Sequence, residues 1–381
     1  MSNLRQTPSP GTHLVLHSGD VMQLRLTGAS CTEAWVRTNL GRGKVRLEEL
    51  VARVEQGTPL RNRDWRDLPM QRQADRSFTF DYPLWEVGRF EAKCFTVEPD
   101  GETLEWPEGN DVVIKVEPAE SHANNTMYCA FVRQFGEARR SLPEGITEER
   151  ITDLESHGFA VLPPSGKFRD LIDSLDIIMD EMGFRIIQLL PIHPTPTTYA
   201  RMGRYGSPYA SQDYEEVDPA LAVFDRKSTP LEQFGELVDA VHRRSGRVFL
   251  DIPINHTGWA SRLQIHHPDW FQREKDRTFH SPGAWGVTWE DLSSLDYDER
   301  ELWTYMADMF LYWCRQGVDG FRCDAGYKVP VPVWQYIVAK VRQQFPDTVF
   351  FLEGLGGPLQ TVSALLDKAN MNWAYSELFQ N

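Results

Sequence analysis

Three apolar, β-rich runs in this chain each close on a carboxylic acid. Asp251 ends Phe-Leu-Asp within Phe-Leu-Asp-Ile-Pro-Ile-Asn-His, Asp324 ends Gly-Phe-Arg-Cys-Asp, and Glu353 ends Phe-Phe-Leu-Glu. An acid at the end of a buried strand needs a partner, because burying an unpaired charge is costly. Between the runs lie segments of helical period, at 228–246, 301–315, 332–345 and 359–368, with another before them at 167–183. Further apolar runs at 128–132 and 184–190 precede the first acid, and residues 371–375 read as one more strand. Strand alternating with helix, with nearly continuous apolar strands, means a parallel sheet covered on both faces. A doubly wound sheet and a (β/α)8 barrel both satisfy that pattern.

Spacing favours the barrel. Asp324 and Glu353 are 29 residues apart, one βα unit of about 30. Asp251 and Asp324 are 73 apart, one unit plus about 40. The surplus falls at 259–298, which has no strong helical period and reads as a small subdomain inserted after the third strand. No glycine-rich nucleotide loop follows the first strand, which argues against a dinucleotide-binding sheet. In a barrel, the C-terminal strand ends form the functional face, so all three acids point into one mouth. Each acid alone reads equally well as a cap of the helix that follows. Three together, with Arg322 two residues before Asp324 and so on the same strand face, read as a site.

Residues 1–120 differ. Short β-rich runs at 13–16, 21–26, 34–37, 77–80, 89–95 and 111–116 are punctuated by turn signals such as Ser18-Gly19-Asp20 and Pro99-Asp100-Gly101. They predict an all-β, immunoglobulin-like sandwich. The polar stretch 53–76 reads as a long surface loop, and 118–125 as the linker to a second domain over 126–381. Ser228 reads as the cap of the helix that Thr229 and Pro230 open.

Composition narrows the function. With 40 basic and 55 acidic residues the formal net charge is -15, which excludes a nucleic-acid backbone binder. No apolar run approaches the roughly 20 residues of a membrane span. The N-terminal sequence lacks the apolar core of a secretory signal. The five cysteines are widely spaced, without metal-ligand or disulfide patterning. A cytoplasmic location is expected, and the Asn124-Asn125-Thr126 sequon then carries little meaning.

The acid-bearing segments resemble the α-amylase family of glycoside hydrolases (glycoside hydrolase family 13). Asp251-Ile252-Pro253-Ile254-Asn255-His256 is similar to the family's first motif and Gly320-Phe321-Arg322-Cys323-Asp324-Ala325 to its second. Glu353 with its preceding strand is similar to the third. Residues 207–214, Ser-Pro-Tyr-Ala-Ser-Gln-Asp-Tyr, resemble the tyrosine-bearing segment after the second strand. The resemblance covers roughly residues 126–381. It implies Asp324 as nucleophile, Glu353 as general acid and then base, and Arg322 as the cation that keeps Asp324 ionised. It further implies that His256 bonds a sugar hydroxyl, Tyr209 stacks on that sugar and Asp251 supports Arg322. Lys328 would contact the acceptor side. Retaining chemistry of this type sets the two carboxyls about 5–5.5 Å apart. The family's further His-Asp pair does not follow Glu353, and about six strand–helix units are present. The expectation is therefore an N-terminal fragment of a longer enzyme, with an incomplete barrel.

The resemblance implies an α-glucan substrate such as glycogen, starch or a maltooligosaccharide. No cofactor is required; calcium, held through oxygens including Asn255, is the alternative, against which stands the lack of a clustered acidic loop. Trp259, Trp285 and Trp289 read equally as stacking platforms for outer glucose units and as packing of the insert. The leading expectation is a retaining hydrolase of amylase or debranching type. A glucan transferase or isomerase shares the same glycosyl-enzyme and differs in what reaches it. A non-catalytic glucan-binding or scaffold protein is the reading from another class, since fold alone does not establish activity.

Overall fold

The structure, a computed structural model, describes residues 3–98, 100–123, 125–137, 145–159, 161, 164–197, 200, 202 and 205–375. It divides into two compact units, residues 1–123 with 342–347, and residues 124–341 with 348–381. Asn124, and with it the sequon and part of the expected linker, lies outside the described residues.

In the first unit two sheets enclose one core. One orders Arg5–Thr7, Val21–Thr27, Phe78–Pro83 and Gln71–Arg72; the other orders His13–His17, Val112–Glu117, Gly88–Val97, Ala34–Thr38 and Arg66–Pro69. Val21–Thr27 alternates exposed and buried residues, as a half-buried strand must. Its Leu24 and Leu26, with Phe78, share a core with Val36, Phe90 and Ile114 of the second sheet. The unit is a sandwich but not all-β, because helix Gly43–Glu55 interrupts it. Nor is 53–76 simply a surface loop: it contains the end of that helix and the strands Arg66–Pro69 and Gln71–Arg72. Charge rather than apolar periodicity orders this stretch. The buried Glu49 carboxylate accepts from the backbone N–H groups of Asn62 (3.0 Å) and Arg63 (3.3 Å) and from Arg63 Nε (2.8 Å). Hydrophobic patterning cannot register such an anchor.

The second unit is built on six parallel strands: Met127–Ala130, Ile186–Leu189, Arg247–Pro253, Gly320–Asp324, Val349–Leu352 and Trp373–Ala374. Each pairs with the next in chain order. A doubly wound sheet would reverse its order at a switch point. Unbroken sequential order is the winding of a (β/α)8 barrel, of which these six strands form part.

The helices cover one face of the sheet. Phe310 of helix Arg300–Arg315 meets Phe321 and Phe350 of two adjacent strands, with ring centroids 4.7 and 5.7 Å away. Helix Pro230–His242 starts at Thr229 rather than Ser228. Thr229 Oγ1 accepts from Glu232 N at 3.2 Å while the Glu232 carboxylate accepts from Thr229 N at 2.7 Å, a reciprocal cap. Residues 167–183 form a short helix, Phe168–Ile172, and then a wide turn, Asp176–Glu181, rather than one helix. The wide turn rotates the apolar stripe, so that Met179 is buried and Met182 is exposed.

On the opposite face Ile186, Phe249 and Val349 form a buried layer, flanked by Met127 and Trp373. Gly320 completes it by lacking a side chain. A Cβ there would stand 2.6 Å from the Phe249 ring, so the ring occupies that slot. Phe249 pairs directly with Gly320, which in turn sets Asp251 opposite Arg322.

Residues 256–298 leave the third strand as an excursion of short elements. His256–Gly258 pairs with Leu292–Ser294, and Gly283–Ala284 pairs with Val287–Thr288 as a tight hairpin.

Candidate active site

Strand alternation sends Arg322 and Asp324 to the same face, directly above the buried layer. Asp251 stands across from Arg322 on the third strand, and Glu353 follows the fifth, its N–H donating to Cys323 O at 3.1 Å. The Arg322 guanidinium gathers all three acids. Its Nη1 donates to Asp251 Oδ1 (2.9 Å) and Oδ2 (3.1 Å) and to Asp324 Oδ1 (2.5 Å). Its Nη2 lies 3.0 Å from Glu353 Oε2. The second oxygen of Asp251 also accepts from Tyr209 Oη at 3.0 Å. Asp251 is therefore buried, 1% exposed, with both oxygens engaged, which is what a buried carboxylate requires.

Three acids around one cation cannot all ionise at the ordinary pH. Burial pushes the carboxyl groups of Asp251, Asp324 and Glu353 up from their usual values, and the Arg322 charge opposes this at each. Asp324 and Glu353 also share a direct hydrogen bond, which lowers Asp324 and raises Glu353. The peptide N–H of Ala325 donates to Glu353 Oε2 at 2.7 Å and fixes the acid from the strand side.

His256 is buried beside this cluster. Burial lowers its pKa to about 4, so the ring is neutral near pH 7. Its Nε2 lies 3.2 Å from Tyr209 O. A carbonyl only accepts, so Nε2 carries the hydrogen and Nδ1, which has no protein partner, is a bare acceptor. Tyr209 thus joins His256 through its backbone and Asp251 through its hydroxyl, with its ring 5.8 Å from the guanidinium carbon of Arg322.

Lys328 stands slightly apart. It sits in the turn Gly326–Lys328 after Asp324, and its Nζ donates to Gly283 O at 2.7 Å. It also lies 5.6 Å from the Trp289 ring, which meets His256 edge-on at 6.1 Å. Asn255 is buried, and neither atom of its amide has a protein partner. It lines a cavity of about 420 Å³ with Gln272, His280, Asp296, Asp298 and Lys328. Among the described residues no three or more His, Cys, Asp or Glu side chains gather as a metal site.

Two neighbours escaped the sequence reading. Tyr375, just after the sixth strand, places its ring 5.8 Å from the Arg322 guanidinium carbon, opposite in sequence to Tyr209 but equal in distance. Burial raises its hydroxyl, and a hydrogen bond with Arg322 opposes that shift. Cys129, at the first strand, feels the charges of Asp251 and Arg322. Their one signal was position, at the C-terminal ends of short apolar runs.

Three carboxylic acids from successive strands of a parallel barrel, gathered around one arginine at the C-terminal strand ends, define a carboxylate-lined barrel site. Residues 131–351 match the alpha-amylase catalytic domain, and the chain belongs to the alpha-amylase family. It is 30% identical over 228 residues to an alpha-1,4-glucan:maltose-1-phosphate maltosyltransferase of Cereibacter sphaeroides, covering 55% of this chain and 36% of that protein. It is likewise 30% identical over 228 residues to the protein of the same name from Pseudomonas aeruginosa, covering 55% and 33%. The chain thus spans about a third of the length of these curated relatives. Among solved structures, an alpha-amylase from Lactobacillus plantarum is 32% identical, with a TM-score of 0.48 and coverage of 60% of this chain and 45% of that one. A debranching enzyme from Nostoc punctiforme is 22% identical, with a TM-score of 0.48 and coverage of 67% and 52%.

Proposed function

We propose that this chain carries the catalytic centre of an α-glucan-active enzyme that works by double displacement with retention. The carrying observation is the Asp324–Glu353 pair, hydrogen-bonded to each other and both held by Arg322. Asp324 attacks the anomeric carbon. Glu353 protonates the departing glycosidic oxygen and then, as the base, draws the proton from the incoming hydroxyl. Asp251 and Tyr209 keep Arg322 aimed at the nucleophile, and the Nδ1 of His256 accepts from a hydroxyl of the cleaved sugar. Tyr209 offers its ring to that same sugar. Lys328 acts from the acceptor side, through the hairpin it holds. No cofactor takes part in these steps; calcium at Asn255 remains a structural proposal, supported by the unpartnered amide. Five unpaired cysteines support a cytoplasmic setting, and no helix among the described residues is long and apolar enough to cross a membrane.

Hydrolysis of amylase or debranching type is the first reading. Transfer to a sugar is the second, favoured by the maltosyltransferase activity for which the curated relatives are named. Incubation of the full-length protein with maltoheptaose and labelled maltose separates them. Labelled chains longer than maltose mean transfer, and unlabelled short products mean hydrolysis. Binding without turnover, unchanged in Asp324→Asn, would replace both with a non-catalytic glucan binder.

A further inference from the structure

The three tryptophans of the excursion after the third strand have different surroundings. Trp259 donates its indole N–H to Glu290 O at 2.9 Å and packs its ring against Phe279. Trp289 is half-buried between His256 and Lys328. Trp285 is different: it is 72% exposed, and it sits at the tip of the hairpin formed by residues 283–288.

Its backbone is left-handed, with φ +52°, a conformation that a bulky side chain rarely adopts. The indole lies against Gly356. A Cβ at Gly356 would stand 3.0 Å from Trp285 Nε1 and 3.1 Å from its Cε2. Gly356 belongs to the loop that leaves Glu353, so the ring is braced three residues from Glu353 while most of its surface stays exposed. The hairpin is also tied from below. Lys328 Nζ holds Gly283 O, and Trp289 N donates to Pro282 O at 2.8 Å. Both tethers come from residues next to His256 or to the turn after Asp324. The hairpin is therefore held at its base by the turn after Asp324 and at its tip by the loop after Glu353.

The geometry points to Trp285 as a specificity-determining residue, the platform on which the glucose unit beyond the scissile bond stacks. The reasoning rests on the α-glucan reading above. Glu353 delivers its proton to the departing oxygen, so the sugar attached to that oxygen lies on the Glu353 side. Two aromatic residues lie against the glycines of that loop, Tyr327 at Gly357 and Trp285 at Gly356, and Trp285 is the more exposed. A pyranose presents C–H groups on its flat faces, and an exposed indole held against a glycine offers it a preformed surface at little ordering cost.

The test compares Trp285→Ala, Trp285→Phe and Val287→Ala with the wild-type full-length protein, on maltoheptaose and on a chromogenic aryl α-maltoside. The aryl substrate has no sugar beyond the bond that breaks. Trp285→Ala is expected to raise KM for maltoheptaose about tenfold relative to KM for the aryl maltoside, with kcat for the aryl substrate changing much less. Trp285→Phe should recover most of the ratio, and Val287→Ala, exposed on the same hairpin, should leave it at the wild-type value. An unchanged ratio in Trp285→Ala, or an equal change in Val287→Ala, overturns the assignment while the α-glucan reading stands. If the wild-type protein turns over neither substrate, the α-glucan reading falls, and the assignment falls with it.

Discussion

Ala325 donates its peptide N–H to Glu353 Oε2, and it does so from a left-handed backbone, φ +44° and ψ 35°. The residue next to Asp324 is thus bent into a disfavoured conformation while it holds Glu353. Ala325→Gly keeps that geometry without a Cβ and should alter stability by less than about 1 kcal/mol. Ala325→Val places a β-branched side chain where φ is positive and should cost about 1–3 kcal/mol. Thermal melting of both variants, with kcat measured alongside, checks this; a Val variant as stable and active as the wild type would contradict it.

Removing the cation should move the pH–activity profile. Arg322 lowers the carboxyls of both Asp324 and Glu353 against the upward push of burial. In Arg322→Ala both lose that opposition and rise. The acid limb requires Asp324 ionised and so moves to higher pH. The alkaline limb requires Glu353 protonated and moves the same way. A profile of kcat/KM against pH should therefore shift as a whole to higher pH, at lower amplitude. A shift to lower pH would refute the assigned electrostatics.

Glu353→Gln keeps the shape of the acid and removes its proton. On maltoheptaose, kcat should fall about 10²–10⁴-fold. With a dinitrophenyl α-glucoside, whose leaving group needs no proton, formation of the glycosyl-enzyme should be largely spared and its breakdown slowed. A burst of dinitrophenolate followed by a slow steady state is the expected trace. Equal losses on both substrates, with no burst, would remove Glu353 from its role.

Tyr209→Phe deletes one hydrogen bond to a carboxylate with no access to water. Asp251 already titrates above its ordinary range, through burial, and the Tyr209 hydroxyl counters that. A group whose folded-state pKa is raised loses stabilising effect as pH rises through that pKa. The variant raises it further, so its deficit should be small in the acidic range and grow toward neutrality and above. About 1–3 kcal/mol is expected once Asp251 is ionised. Urea melts of both proteins at a series of pH values would show it, and a deficit independent of pH would count against it.

Much of the second unit was legible because its signals are periodic. Strand runs such as 247–254 and 318–323 carry side chains that must be buried on both faces, and the helices between them carry one stripe each. The acids were legible because a charge at the end of an apolar strand needs a reason. What was not legible depends on polar partnerships or on backbone. Glu49 orders 53–76 through hydrogen bonds that leave no apolar pattern. Ala325 acts through its N–H, which any residue type possesses. Tyr375 takes its place beside Arg322 only once six strands have curled toward one another, and no spacing in one dimension expresses that.

The slot at Gly320 carries a further consequence. Four residues below Asp324, the missing side chain leaves a volume that the ring of Phe249 fills. Two neighbouring strands can slide past each other only in steps that invert their faces, and this interlock works as a detent against such a step. A methyl group at Gly320 would drive the strands apart or force them to the next notch, and Arg322 would turn away from Asp251. The charges that meet in the mouth are thereby indexed by a hydrogen atom on the floor, two residues below Arg322.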